Sequence, residues 1–173
     1  MIIWLSGVSG VGKTTIAKSL VVNKPARYIY HTLLDADVIR NLAWPELGLS
    51  VEDRNKNVTR MARLASFLSQ SDIDNNILVV VACIAPFREV RNEALNICKD
   101  FTITKHVYLH SPLIERIRRD PKGLYDRAIN GCISNLTGYD GRYDIPTKAD
   151  LSINTAAHTI KEITNKIWDQ LKE

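Results

Sequence analysis

The sequence of 173 residues lacks the features that mark membrane, secreted or zinc-binding proteins. Its longest apolar run, residues 77–85, falls well short of the ~20 residues that a transmembrane helix needs. The three cysteines, Cys83, Cys98 and Cys132, are odd in number and widely spaced, which predicts neither a disulfide framework nor a metal-ligand set. Met1 leads directly into a β-prone stretch, without the segments of a signal peptide. We therefore expect a cytoplasmic protein with no membrane partner.

The sequence also lacks an uninterrupted block of one charge. Lys and Arg number 23 against 19 for Asp and Glu, a formal net charge of +4, and acidic residues interrupt the basic ones, as in residues 115–120. A nucleic-acid surface gathers its cations into a patch, so we expect no nucleic-acid partner. The length and the 45% apolar content fit one stable core. We predict a single domain over residues 1–173.

What the sequence does contain is a phosphate-binding loop. Residues 7–15 match the pattern Gly-x4-Gly-Lys-Ser/Thr, between a β-prone and a helix-prone stretch. Glycines let backbone N–H groups converge on phosphate oxygens, and the N-terminus of the helix adds positive potential. Lys13 would reach the β- and γ-phosphates, and the Thr14 hydroxyl would hold Mg²⁺. The predicted ATP-binding residues of the loop are Gly7, Ser9, Gly10, Val11, Gly12, Lys13, Thr14 and Thr15.

Strand-prone and helix-prone stretches alternate along the rest of the chain. Residues 77–84 are typical of a parallel strand buried on both faces, residues 50–53 indicate a helix-capping box, and Pro86 suits the first turn of a helix. Alternation of this kind predicts an α/β fold of the P-loop NTPase type, with about five parallel strands and helices on both faces. Residues 119–146 have no sustained apolar period and are predicted to form a lid.

Two carboxylates, Asp35 and Asp37, follow the second predicted strand. The spacing i, i+2 points both to one face of a strand, and ligands of open α/β sheets bind beyond the carboxyl ends of the strands. Both side chains are therefore predicted to face the site. The alternative is that they cap the helix that follows, and one residue could do both.

Two other classes of nucleotide-binding protein fit the sequence poorly. A GTPase would normally carry the motif Asn-Lys-x-Asp, whereas residues 165–168 read Asn-Lys-Ile-Trp. A motor or transporter ATPase would carry an acidic residue after an apolar strand, but residues 83–85 contain none. A phosphate cradle, a carboxylate base and a lid are instead the parts of a small-molecule kinase.

The sequence resembles the adenylyl-sulfate kinase family from Ile2 to about Thr155. That family uses MgATP to phosphorylate the 3′-hydroxyl of adenylyl sulfate, so the resemblance implies ATP and Mg²⁺ as cofactors, a nucleotide substrate and a homodimer. The matching blocks are residues 7–15, 34–40, 47–54, 57–60, 84–88, 119–125 and 135–138.

Position by position, the resemblance implies a role for each matching side chain. Asp37 would accept the proton of the 3′-hydroxyl, Lys13 would act with it in catalysis, and Asp35 would lie near Mg²⁺ and its waters. Arg119 would come down with the lid onto phosphate charge, and Thr155 would lie near the adenine of ATP. The implied substrate-binding residues are Asp35, Asp37, Arg40, Leu49, Arg54, Asn57, Ile84, Lys122 and Leu136.

Three departures from the family pattern bear on the reaction. Ala85 replaces the usual serine, so no phosphoserine can form there and the transfer must be direct. Leu49 and Leu136 replace two phenylalanines that sandwich the adenine, and stacking is worth ~1–3 kcal/mol per base. The leucines could still form an apolar slot for adenylyl sulfate, or the slot could suit another 5′-modified nucleotide such as cytidine diphosphoramidate. A third alternative is a non-catalytic nucleotide sensor.

Overall fold

Strands and helices alternate along the chain, as the sequence predicts. The structure is a computed structural model that describes residues 1–71 and 76–171, and within them it contains five strands and seven α-helices. The elements are β1 Ile2–Ser6, α1 Lys13–Val22, β2 Tyr30–Asp35, α2 Ala36–Ala43, α3 Val51–Ser69, β3 Ile77–Ala82, α4 Arg88–Lys99, β4 Thr104–His110, α5 Leu113–Arg119, α6 Leu124–Ile129, β5 Leu151–Asn154 and α7 Ile160–Gln170. Among the described residues, no helix is both long and apolar enough to cross a membrane.

The five strands form one parallel sheet in the order β2-β3-β1-β4-β5. Strand β1 lies at the centre, with Trp4 paired to Val81 of β3 and to His106 of β4. Because all strands run in one direction, their carboxyl ends share one edge, and the phosphate loop and Asp35 both follow strand ends there. The predicted three-layer α/β fold is confirmed.

Each face of the sheet is covered by helices over its own apolar core. Successive residues of β1 alternate between the faces, so Ile3 and Leu5 join the core under α1 and α7, whereas Ile2 and Trp4 join the core under α3 and α4. All six residues of β3 are buried, as the continuous apolar run predicts. The three cysteines are free, two buried and one exposed.

Two local predictions about helix starts need correction. Ser50 caps α3 by accepting a hydrogen bond from the backbone N–H of Asp53 at 3.1 Å, but the Asp53 carboxylate accepts from Gly48 N–H rather than completing a capping box. The helix expected to include Pro86 begins only at Arg88. The chain turns first at Ala85, whose φ of 45° lies in the left-handed region.

The predicted lid contains a helix that the sequence pattern did not indicate. Helix α6 begins after Gly123, whose φ is 61°. It has six residues, of which Tyr125 is the buried one, and so short a helix shows no apolar period. Opening and closing of residues 119–146 remains a prediction.

Candidate active site

The phosphate loop turns sharply as it leaves β1. Gly7, Gly10 and Gly12 have φ values of 141°, 78° and 94°, which side chains rarely permit. A Cβ at Gly7 would lie 2.2 Å from the Leu109 carbonyl oxygen, whereas one at Gly12 would meet nothing within 4 Å. Helix α1 starts at Lys13 without a side-chain cap, so its first N–H groups stay available to an anion.

Lys13 lies across the loop that precedes it. Its Nζ donates a hydrogen bond to the Val8 carbonyl oxygen at 2.9 Å. Desolvation lowers the pKa of Lys13 to about 8, although the nearby Asp37 carboxylate acts in the opposite direction. Val11 is fully buried and anchors the loop to the core under α1 and α7. The ammonium is therefore held at the cradle and retains its charge near neutral pH.

Asp35 both caps a helix and faces the loop. It ends β2 and forms the N-cap of α2, where Oδ1 accepts from the backbone N–H groups of Asp37 at 3.1 Å and Val38 at 3.5 Å. Its Oδ2 accepts from the Thr14 hydroxyl at 2.6 Å. The capping alternative and the site-facing prediction are thus both correct for Asp35.

Asp37 reaches the site for a different reason from the predicted one. The chain has already entered α2 at Ala36, so Asp37 lies in the first helical turn and the strand-alternation argument is wrong. Its Oδ2 lies 2.6 Å from the Lys122 Nζ in a half-exposed ion pair. Burial by itself raises the pKa of Asp37, but the hydrogen bond and charge of Lys122, with Lys13 and Arg40, outweigh it, and the net pKa is lowered. Asp37 is ionised at neutral pH.

One cavity of about 560 Å³ joins the loop to these carboxylates. Sequence reasoning missed part of its wall, Ala36, Val38, Ala82 and Pro121, because apolar residues in these positions carry no chemical signal. The predicted residues that line the cavity are Ser9, Gly10, Gly12, Lys13, Thr14, Thr15, Asp35, Asp37, Ile84, Arg119 and Lys122.

The Thr14 hydroxyl and the Asp35 carboxylate fit a magnesium ion. Both are hard oxygen donors at the loop, and Mg²⁺ is usually held by one or two such groups together with phosphates and waters. Among the described residues, no three acidic, histidine or cysteine side chains cluster as a closed metal cage. These two oxygen donors therefore suit an Mg²⁺ ion whose other ligands are the phosphates of a nucleotide and waters.

Arg119 and Thr155, both predicted to bind ATP, are bonded to each other. The two Nη atoms of Arg119 donate to the Thr155 hydroxyl at 3.0 Å and to its carbonyl oxygen at 2.9 Å. Thr155 is buried and its N–H donates to the His110 carbonyl oxygen at 2.8 Å. Arg119 lines the cavity, whereas Thr155 does not and holds Arg119 through these two hydrogen bonds.

The remaining predicted substrate residues lie outside this cavity. Arg54 donates from Nε to the Leu49 carbonyl oxygen at 2.8 Å, and from its Nη atoms to the Asn135 carbonyl oxygen at 3.2 Å and to the Thr137 hydroxyl. Arg54 therefore joins the backbone segments that carry Leu49 and Leu136. Leu49 is 61% exposed.

Asn57 and Arg40, the other two residues of this set, interact with neighbouring side chains. The buried Asn57 accepts a hydrogen bond from the Trp44 indole N–H at 2.8 Å. Arg40 lies on α2, where its charge lowers the pKa of both Asp37 and Arg54, although desolvation is the larger cause for Arg54. Neither side chain lines the first cavity, although the charge of Arg40 acts on Asp37.

A second cavity, of about 380 Å³, opens beside Arg54. The starts of α3 and α4 and the predicted lid form its walls, and sequence reasoning did not find it because its residues are far apart in the chain. It is lined by Val51, Arg54, Asn55, Phe87, Glu89, Val90, Asn135 and Arg142.

Comparisons with known proteins agree with this geometry. The family model described as adenylylsulphate kinase matches residues 1–154. An adenylyl-sulfate kinase of Picosynechococcus sp. is 35% identical over 171 residues, which cover 99% of this chain and 93% of the relative. The Mycobacterium tuberculosis APS kinase, solved in complex with AMPPNP and APS, matches with a TM-score of 0.89 at 33% identity, covering 99% of this chain and 97% of that one. A hexameric APS kinase from Thiobacillus denitrificans matches with a TM-score of 0.69 at 25% identity, covering 99% and 28%.

Proposed function

The chain belongs to the adenylylsulphate kinase family, and we propose that it transfers the γ-phosphoryl group of ATP to the 3′-hydroxyl of adenylyl sulfate in the cytoplasm. It is a phosphotransferase that acts on a hydroxyl group. The observation that carries the proposal is the cavity of about 560 Å³ in which the phosphate loop faces Asp35 and Asp37. Cytidine diphosphoramidate as the acceptor has no support in these likenesses, which concern adenylyl-sulfate kinases.

The donor phosphates lie against the loop and the start of α1 in this proposal. The uncapped N–H groups of α1 and the Lys13 ammonium supply positive potential there. Thr14 and Asp35 would hold Mg²⁺, which when bound neutralises charge on the β- and γ-phosphates. Arg119, fixed by Thr155, adds a further cation at the cavity wall. Phosphoryl transfer depends mainly on such positioning and charge neutralisation.

Asp37 accepts the proton in this proposal. The acceptor's 3′-hydroxyl takes the place of Lys122 beside the Asp37 carboxylate, which removes its proton. The freed oxygen attacks the γ-phosphorus while the bond to the β–γ bridging oxygen breaks, and ADP leaves. Ala85 offers no hydroxyl to carry the phosphoryl group, so the transfer is direct.

The test is to identify the product. The protein is incubated with MgATP and a panel of 5′-modified nucleotides, and mass spectrometry with fragmentation identifies the acceptor that gains a phosphate and the hydroxyl that carries it. We expect phosphorylation of adenylyl sulfate at the 3′ position and none with Lys13→Ala. Absence of turnover with every acceptor, in protein that binds ATP, would overturn the proposal and favour the nucleotide sensor.

We propose a homodimer as the assembly of this chain. The resemblance to the family supports a homodimer, whereas the Thiobacillus denitrificans relative is hexameric and much longer than this chain. Light scattering on the purified protein should give twice the chain mass of 19.5 kDa, and a monomeric or hexameric mass would contradict the proposal.

A further inference from the structure

Tyr125 connects the predicted lid to the phosphate loop. It is the buried residue of α6, with no exposed surface. Its hydroxyl donates a hydrogen bond to the Ser9 carbonyl oxygen at 2.8 Å, across a separation of 116 residues. Ser9 lines the cavity of the phosphate loop, so this bond acts on the cradle itself.

Arg116 of α5 holds the same hydroxyl from the other side. Its Nη1 donates to the Tyr125 hydroxyl oxygen at 3.1 Å and to the Gly138 carbonyl oxygen at 3.0 Å. Desolvation raises the pKa of Tyr125, against the charge of Arg116, so the hydroxyl keeps its proton and remains a donor. The hydrogen bonds therefore run in one direction, from Arg116 through Tyr125 to the loop.

The packing around these bonds leaves the loop little room. A Cβ at Gly10 would lie 3.3 Å from Arg116 Cβ and 3.4 Å from Tyr125 Cε2. A Cβ at Gly138 would lie 2.4 Å from Val8 Cγ1. Residues 8–10 are thus confined by α5, α6 and the Gly138 turn, and the Val8 carbonyl oxygen is the one that receives the Lys13 ammonium.

We propose that Tyr125 is a positioning residue for ATP: with Arg116 it fixes residues 8–10 of the phosphate loop, so that the cradle has its ATP-binding shape before ATP arrives. This rests on the proposed function only in taking ATP as the ligand of the loop. A loop released from Tyr125 would have to be ordered by ATP itself, and that cost would appear as weaker binding.

The variant Tyr125→Phe removes the hydroxyl and keeps the ring. One lost hydrogen bond predicts that the Kd of a non-hydrolysable ATP analogue and the KM for ATP rise about threefold to tenfold. The KM for adenylyl sulfate should change by less than about twofold, because, within the described part of the chain, no hydrogen bond joins Tyr125 to Asp37 or Arg54. Calorimetric titration with the analogue measures the first effect, and steady-state kinetics with each substrate varied measures the others.

Tyr139→Phe is the matched control. Its ring packs edge-on against Tyr125, with centroids 6.1 Å apart at 86°, and it is 40% exposed. Loss of that hydroxyl should leave both KM values unchanged. Equal KM effects in the two variants, or unchanged analogue affinity in Tyr125→Phe, would overturn the inference.

The analogue titration separates this inference from the proposed function. If the wild-type protein binds no ATP analogue, the proposed function fails. If it binds the analogue and Tyr125→Phe binds it equally well, only the role of Tyr125 fails. Arg116→Gln should weaken analogue binding as well, and combining it with Tyr125→Phe should add little, because both changes break the same chain of hydrogen bonds.

Discussion

At the scale of single residues, burial and neighbouring charges set the ionisation of the side chains in the site. Desolvation leaves Lys13 with a pKa of about 8, close enough to neutrality for its charge to depend on conditions. Asp37 remains a carboxylate because the Lys122 ammonium counteracts the effect of burial. Asp35 accepts three hydrogen bonds, which fix the orientation of its carboxylate.

Replacement of Asp37 by asparagine tests the proton acceptor. We expect Asp37→Asn to bind ATP normally and to lose at least ~10²-fold in kcat, because a positioned general base contributes ~10²–10⁴-fold. Steady-state kinetics and analogue binding provide the two readouts. Asp100→Asn, an exposed residue at the end of α4 on the opposite edge of the sheet, is the control. Near-normal kcat in Asp37→Asn would contradict the assignment.

The lowered pKa of Lys13 predicts how ATP binding responds to pH. The phosphates of ATP bind the charged form of Lys13 and stabilise it. Above about pH 8 the ligand-free Lys13 is mostly neutral, so ATP binding must take up a proton. The Kd for ATP should therefore rise with pH above this value, by up to about tenfold per pH unit. Calorimetry in buffers of different ionisation enthalpy measures both the Kd and the proton uptake.

Lys13→Arg provides the control for this pH dependence. A guanidinium does not titrate in this range, so the variant should show neither the rise in Kd nor the proton uptake, whatever its affinity at neutral pH. A wild-type Kd that stays flat up to about pH 10 would show that Lys13 does not titrate in the ligand-free site.

At the scale of elements, the side chains of the site lie at the ends of strands and helices rather than within them. Asp35 is at once the last residue of β2 and the cap of α2, Arg119 is the last residue of α5, and α1 begins inside the cradle. The parallel sheet brings these ends to one edge. Helix α3 shows the same arrangement, since its cap Ser50 lies between Leu49 and the turn that carries Arg54.

Loss of the α3 cap should therefore affect stability and substrate binding together. Ser50→Ala removes the acceptor for Asp53 N–H, and such caps contribute ~0.5–2 kcal/mol. For a domain of this size we expect Tm to fall by roughly 1–8 °C and the KM for adenylyl sulfate to rise, because Arg54 lies in the first turn. Ser71→Ala, whose hydroxyl bonds the Phe67 carbonyl oxygen beyond the other end of α3, should leave that KM unchanged. Equal KM values for Ser50→Ala and the wild type would contradict the link.

At the scale of the whole molecule, distant segments of the chain meet at the residues predicted to bind the acceptor. Arg54 joins the backbone at Leu49 to the backbone at Asn135, a separation of 81 residues from Arg54. Leu49 and Leu136 therefore belong to segments that hydrogen-bond to one guanidinium. We therefore propose that base choice depends on the assembled fold rather than on either segment.

Restoring both aromatic rings tests that effect. Leu49→Phe combined with Leu136→Phe should raise kcat/KM for adenylyl sulfate relative to other 5′-modified nucleotides by about tenfold or more, because each stacked ring is worth ~1–3 kcal/mol. Competition assays with mixed acceptors measure the ratio directly. Val22→Phe adds a ring at an exposed position at the end of α1 and should not change it. An unchanged ratio in the double variant would mean that the leucines do not set base choice.

Features that depend on neighbouring residues alone could be predicted from the sequence. The phosphate loop is a contiguous pattern, β3 is a continuous apolar run, and Ser50 is a cap beside its own helix, so each could be predicted from neighbouring residues. The contacts of Thr14 with Asp35, Lys122 with Asp37, and Tyr125 with Ser9 could not, because they span 21, 85 and 116 residues and form only in the folded chain. Apolar periodicity predicts that strands and helices exist but carries no information on strand order. The distances between chain-distant side chains depend on that order, and so they arise only when the sheet is assembled.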